Sequence, residues 1–451
     1  MPPDAPATPT IFALSSGQGR AGVAVIRISG PMAAPILDAM APPRPKPRFA
    51  AFRRIRHPAT GDLIDEALVL FFPAPRSETG EDMAELQVHG SGAVIRAVFA
   101  ALATFPASRL AGPGEFARRA FENGRLDLTA AEGLADLVDA ETEAQRKQAL
   151  AQAGGALAKL YDGWREALIE ALALLEAAID FSDEADVASD ATARALARAA
   201  ELRREIAAHL DDGHRGEIVR DGFRVVLAGP PNVGKSSLLN ALARREAAIV
   251  SDEPGTTRDV IEVRLDLAGY AVIVSDTAGV RETAAAVERE GIRRTFGQAR
   301  AADLVLWVMD ASAPEPPIPQ VIRSGAARIL PVLNKIDLVP GHLHDGSPAT
   351  AVRVSCSSGE GLPTLVDAIA NEVRLRLGTA ADPTVLSQIR HRQGIEACLK
   401  ALDRLLAADP HETELRAEDL RQGADALGRI VGRVDPEEVL GIIFGRFCIG
   451  K

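Results

Sequence analysis

Residues 229–237 read GPPNVGKSS, and the neighbours of this stretch decide the fold. It fits G-x-x-x-x-G-K-[ST], follows the apolar run FRVVLA (223–228) and opens the helix-forming run SLLNALA (237–243). Strand, glycine-bearing loop and helix in that order make a phosphate cradle, because loop N–H groups and the helix N-terminus supply a positive field. Gly229 and Gly234 allow the tight wrap, Lys235 reaches the β- and γ-phosphates, and Ser236 offers a hydroxyl to Mg²⁺. Asn232, Val233 and Ser237 complete the loop.

Downstream come further short β-type runs: YAVIVSDTAG (270–279), ADLVLWVMDAS (302–312), RILPVLNKID (328–337) and AVRVSCSS (351–358). Helix-length or loop-length stretches separate them, which predicts a mostly parallel α/β sheet over residues 219–378. On either side the pattern is helical. No proline occurs from 114 to 229 although the chain has 29, and the composition favours helix. Leu168, Leu172, Leu175 and Ile179 share one helical face, and Ile395, Leu399, Leu402 and Leu406 repeat that spacing. An α/β domain inserted into an all-α domain, residues 119–218 and 379–451, is therefore expected. Residues 1–118 carry the strand-like runs VAVIRIS, EALVLFF and AELQVHG and the helical run AVIRAVFAALATF, which predicts a third, α+β domain.

Bulk properties narrow the function classes. A chain of 451 residues is too long for one ordinary core. Its net charge of -11 argues against a general nucleic-acid coat while leaving room for RNA at a local patch. Cys356, Cys398 and Cys448 form neither a disulfide framework nor a C-x-x-C metal pair. No signal peptide and no membrane span of roughly 20 apolar residues is evident, so a cytoplasmic protein without membrane contact is expected.

Guanine selectivity is read from NKID. The Asp337 carboxylate can accept from guanine N1–H and the exocyclic amine together, Asn334 can serve the purine edge, and Lys335 can pack on the ring. Backbone donors of Ser355, Cys356 and Ser357 would close the base pocket. Thr257 in PGTTRD stands where a switch threonine meets Mg²⁺ and the γ-phosphate. Asp276 supplies the metal-side acid, and Thr277, Ala278 and Gly279 the γ-phosphate loop. The next residue, Val280, cannot orient a water as the glutamine of many small GTPases does.

The whole chain resembles the MnmE (TrmE) family of tRNA modification GTPases. The resemblance is carried by GVAVIRISGP, GEDMAELQVHG, GPGEFARRAF, NGRLDLTAAEGLADLVDA, the nucleotide motifs and the closing FCIGK. It implies a multidomain protein: an N-terminal folate-binding-like domain, a split helical domain and the inserted P-loop GTPase domain. It further implies that Asn232, Ser251, Glu253 and Thr256 bind K⁺, and that Glu288 of VERE positions the water. Ion and carboxylate then replace the missing glutamine, with Lys235 and Thr257 completing the catalytic set. Ordering comes when two such domains meet across a homodimer.

In the N-terminal domain the resemblance implies 5-formyltetrahydrofolate held by Arg27, Glu85, Arg125 and Lys451. Arg125 departs from the lysine of a related sequence. Cys448 is implied to act near the folate. The implied partners are tRNA and the FAD-containing protein MnmG, in a heterotetrameric-type complex. Together they would install an aminomethyl or carboxymethylaminomethyl group at carbon 5 of the wobble uridine. The alternative is an RNA-binding ribosome-assembly GTPase similar to Era or Der, whose KH-type G-x-x-G clamp in a basic setting is not evident here.

Overall fold

A computed structural model of the chain describes residues 8–17, 19–180, 185–245, 247–249, 262–276, 301–313, 318–323, 327–339, 350–378, 384–409, 412–434, 437–445, 447 and 450. They divide into two compact units, one of residues 1–135, 153–169 and 421–451, the other of residues 136–152 and 170–420.

The first unit is built on strands β1 (Thr10–Leu14), β2 (Ala21–Ser29), β3 (Ala51–Arg56), β4 (Leu63–Phe72), β5 (Met83–Gly90) and β6 (Ser108–Leu110). They form one six-stranded sheet in the order β3-β4-β5-β2-β1-β6. Every pairing is antiparallel except β1 with β6. Alternation sets its faces: Ala24, Ile26 and Ile28 of β2 and Ala84, Leu86 and Val88 of β5 are buried in one core. The helices Ala33–Met40 and Gly92–Leu102 cover that face with Ile36, Leu37, Val98 and Leu102. Ser91 caps the second by accepting the Val94 N–H at 3.2 Å. Arg27 and Glu85 are registered partners on the opposite face. In the same unit the C-terminal helix Glu437–Gly445 packs Leu440, Ile443 and Phe444 on Ala117, Leu128 and Ala131.

The second unit carries β7 (Phe223–Ala228), β8 (Glu262–Leu267), β9 (Tyr270–Asp276), β10 (Leu304–Asp310), β11 (Arg328–Asn334) and β12 (Val352–Arg353). Their order is β12-β11-β10-β7-β9-β8, parallel throughout except that β8 runs antiparallel to β9. Near-continuous apolar runs mark strands covered on both faces. Val225, Leu227, Leu306 and Val308 face the helices Lys235–Ala243 and Leu362–Leu377, whereas Val226, Val305, Trp307 and Met309 form the core of the other face. The helix Glu143–Ala153 meets the β8–β9 turn: the Ala144 N–H donates to Gly269 O at 2.9 Å and Glu141 pairs with Arg264 at 3.0 Å.

Helices Ala185–Leu210 and Ile389–Ala407 flank the sheet in sequence and pack on each other. The predicted leucine stripes are shifted. Leu168, Ala171, Leu175 and Ala178 are buried while Leu172 and Ile179 are half-buried, and Ile395, Cys398, Leu402 and Leu405 are buried while Leu399 and Leu406 are half-buried. Ala171, Ala178 and Cys398 thus share the buried faces with large apolar side chains, which rotates each face away from the purely leucine-marked line. Among the described residues, no helix is long and apolar enough to cross a membrane.

Candidate active site

The C-terminal ends of β7, β9, β10 and β11 converge, the usual place for a ligand on an open α/β sheet. The loop after β7 needs its glycines. Gly229 has φ +148° and a Cβ there would lie 2.2 Å from the Val308 carbonyl oxygen. Gly234, φ +93°, would place one 2.3 Å from Asn334 Nδ2. Asn232 lies between them at φ +64°, a left-handed conformation asparagine tolerates better than most residues.

Ser236, on the first turn of the following helix, donates through its hydroxyl to Asp276 Oδ2 at 2.6 Å. Asp276 is buried at the end of β9, so a hydroxyl and a carboxylate meet beside the loop. The Lys235 ammonium folds over the loop and donates to the carbonyls of Gly229 at 3.0 Å and Pro230 at 2.7 Å. Burial pushes its pKa down, and the nearby negative charge of Asp276 opposes that shift.

On the purine side the buried Asn334 is a strut. Its Nδ2 donates to the Val233 carbonyl at 2.9 Å and its Oδ1 accepts from the Cys356 N–H at 3.3 Å. One carboxamide thus ties the phosphate loop to the 355–358 loop, and its second Nδ2 hydrogen can serve a purine edge. Asp337 accepts from the Ser357 hydroxyl at 2.9 Å, and hydroxyl donors from Ser355 and Ser357 hold its carboxyl below the usual carboxylate range. The Lys335 ammonium donates to the Asn232 carbonyl at 2.8 Å and to Asp310 Oδ2 at 2.7 Å. The Cys356 thiol is pushed up by burial and stays protonated at neutral pH; its backbone serves Asn334.

In the first unit Arg27 pairs with Glu85 at 3.2 Å and Glu78 at 2.8 Å, and its guanidinium lies 5.8 Å from the centre of the Phe116 ring. Arg125 donates its N–H to the Ala120 carbonyl at 2.7 Å and packs beside Gly80, two residues along the loop from Glu78. Sequence reasoning missed Asp310 and Glu78. For Asp310 a signal was present: an apolar run ending in Asp-Ala-Ser is an Asx-turn pattern. Glu78 sits in a polar loop with no such signature. Ser251, Glu253, Thr256, Thr257, Thr277, Ala278, Gly279, Glu288, Cys448 and Lys451 lie outside the described residues.

Two sequence models match, "GTP-binding protein TrmE N-terminus" over residues 10–125 and "MnmE helical domain" over residues 128–448. A protein of Parvibaculum lavamentivorans named tRNA modification GTPase MnmE is 52% identical over 449 residues, covering 98% of this chain and 100% of that one. This chain belongs to the MnmE family of tRNA modification GTPases. MnmE proteins of Methylorubrum populi and Rhodopseudomonas palustris are 52% and 50% identical, with 98% and 99% of this chain covered and 98% and 100% of theirs.

The hard-oxygen pair Ser236 and Asp276 suits the Mg²⁺ expected in an MnmE nucleotide site, since that ion takes one or two protein oxygens and completes its shell with phosphates and water. Among the described residues no cluster of three or more His, Cys, Asp or Glu is arranged to hold a metal by itself.

Proposed function

We propose that this GTP hydrolase of the MnmE family binds GTP across the 229–237 loop and the 355–358 loop, and uses its hydrolysis within a tRNA-modifying complex. The observation that carries this is the Asn334 strut. Because one buried side chain joins both loops, a nucleotide spanning them meets a single pre-organised sheet end, and base recognition is felt at the phosphates.

The residues divide the work. Lys235 exchanges its loop carbonyls for β- and γ-phosphate oxygens, and its partial burial makes that charge contact strong. Ser236 and Asp276 hold Mg²⁺, which neutralises charge on the β- and γ-phosphates. Asp337 selects guanine. Asn232, with Ser251, Glu253 and Thr256, is proposed to hold K⁺, which offsets charge developing between the phosphates. Thr257 and Glu288 close on the γ-phosphate and its attacking water, and pairing of two such domains in a homodimer orders them. Thr277, Ala278 and Gly279 supply backbone contacts to the γ-phosphate.

The N-terminal unit is proposed to bind 5-formyltetrahydrofolate through Arg27, Glu85, Arg125 and Lys451. The Arg27–Glu85–Glu78 cluster supports this: Arg27 and Glu85 are sheltered, and the exposed Glu78 is the carboxylate that a ligand's carboxylate could replace. With MnmG, the complex would install the aminomethyl or carboxymethylaminomethyl group on wobble uridine. Nucleoside analysis of bulk tRNA from cells carrying only Ser236→Ala tests it. Loss of the C5-modified uridines is expected; their retention at wild-type levels would contradict the role.

A further inference from the structure

Lys335 and Asn232 are both non-glycine residues in the left-handed region, at φ +66° and +64°. That conformation is sparsely populated by L-residues and persists where tertiary contacts hold it. Here a single hydrogen bond joins the pair, from the Lys335 ammonium to the Asn232 carbonyl at 2.8 Å. The same ammonium is held from the other side by Asp310 Oδ2 at 2.7 Å.

Asp310 is itself fixed. Its Oδ1 accepts from the Ser312 N–H at 2.9 Å and the Ser312 hydroxyl at 2.6 Å, an Asx turn that aims the other oxygen at Lys335. The Ala311 N–H donates to the Asn334 carbonyl at 2.8 Å, so the ends of β10 and β11 advance together. The Asp310 and Lys335 side chains are 17% and 32% exposed, which shelters the pair from full solvent screening. Burial raises the Asp310 pKa, but hydrogen bonds from Lys335 and Ser312 outweigh it, and the net shift is downward, favouring carboxylate.

We propose that Asp310 is a positioning residue that holds the Lys335 ammonium against the Asn232 carbonyl, and thereby sets how fast guanine nucleotide leaves the site. The proposal rests on the nucleotide-site reading above. Without the carboxylate, the lysine tip loses its second anchor, and the link between the purine end and the phosphate loop loosens.

The test is release of methylanthraniloyl-GDP from the full-length protein, chased with unlabelled GDP. Asp310→Asn keeps the shape and the acceptor for Ser312 but turns an amide donor toward the ammonium. Release is expected to accelerate about tenfold. In a Lys335→Met background the same change should alter release by less than about twofold, because a residue acting only through the ammonium has nothing left to act on. Ser312→Ala, which unlocks the carboxylate without touching the ammonium, should accelerate release about threefold, and it decides the matter if Asp310→Asn does not fold. Unchanged release in the soluble variants overturns the proposal, and so does an equal acceleration in the Lys335→Met background. If wild-type protein binds methylanthraniloyl-ADP as tightly as the GDP probe, the nucleotide-site reading falls instead, and this proposal with it.

Discussion

At the scale of single residues, the chemistry concentrates on side chains whose hydrogen-bonding capacity is already organised. Hydroxyl donors from Ser355 and Ser357 hold the Asp337 carboxyl below its usual range, which favours its ionised form. The guanine contact proposed for Asp337 should therefore be present above that range and be lost only as the pH falls through the lowered value. Replacing the donor by Ser357→Ala should move the acid limb of GTP binding to higher pH, as followed by titration of nucleotide affinity. An unmoved limb would count against Asp337 as the group being read. Asp337→Asn should reverse the donor pattern and weaken GTP relative to XTP on the order of a hundredfold or more, measured by competition binding. Lys235, Ser236, Asn334 and Asp337 were legible because their motifs fix both residue type and order. Glu78 was not, and for Asp310 only its turn was, since an acidic residue's partner is chosen by tertiary placement that spacing does not encode.

At the scale of elements, five of the six strands of the sheet that bears the site were readable from apolar runs, whereas its edge strand β8, EVRLDL, and β1, β3 and β6 of the other sheet were not. Strand β3 reads AFRRIR, its charged positions lie at a sheet edge, and an edge strand needs no apolar run. The shifted helical stripes have a related cause. Leucines mark where a helix is apolar, but small residues such as Ala171, Ala178 and Cys398 share the buried face with some of them, and spacing of leucines alone does not show which. The start of the helix Leu362–Leu377 is set by Gly361, φ +73°, where a Cβ would lie 1.8 Å from the Arg353 carbonyl oxygen. Gly361→Ala should therefore lower stability by about 2 kcal/mol or more and loosen the adjoining 355–360 loop. Denaturant unfolding checks it, and an unchanged midpoint would mean that the loop absorbs the clash.

At the scale of the molecule, the β-type runs between two helical stretches were legible, but the contacts that tie residues on either side of those runs together were not. Arg392 donates to Glu217 at 2.7 Å, to Asp212 at 2.8 Å and to the Leu210 carbonyl at 3.1 Å, closing the chain across the inserted sheet over a separation no local pattern reveals. All three side chains are largely buried, so Arg392→Met should cost about 3–5 kcal/mol by removing the guanidinium shared by two carboxylates, which among the described residues keep only contacts from His214. Adding Asp212→Asn and Glu217→Gln should recover part of that loss in thermal unfolding. No recovery would assign the loss to packing of the arginine stem.

The central claim is that an alkali ion and a distal carboxylate stand in for the glutamine that Val280 displaces, and its most direct test is GTP turnover in KCl against NaCl at matched ionic strength. Turnover should be markedly faster in KCl, and Asn232→Ala and Glu288→Ala should each lose most of that advantage. Equal wild-type rates in the two salts would contradict the account.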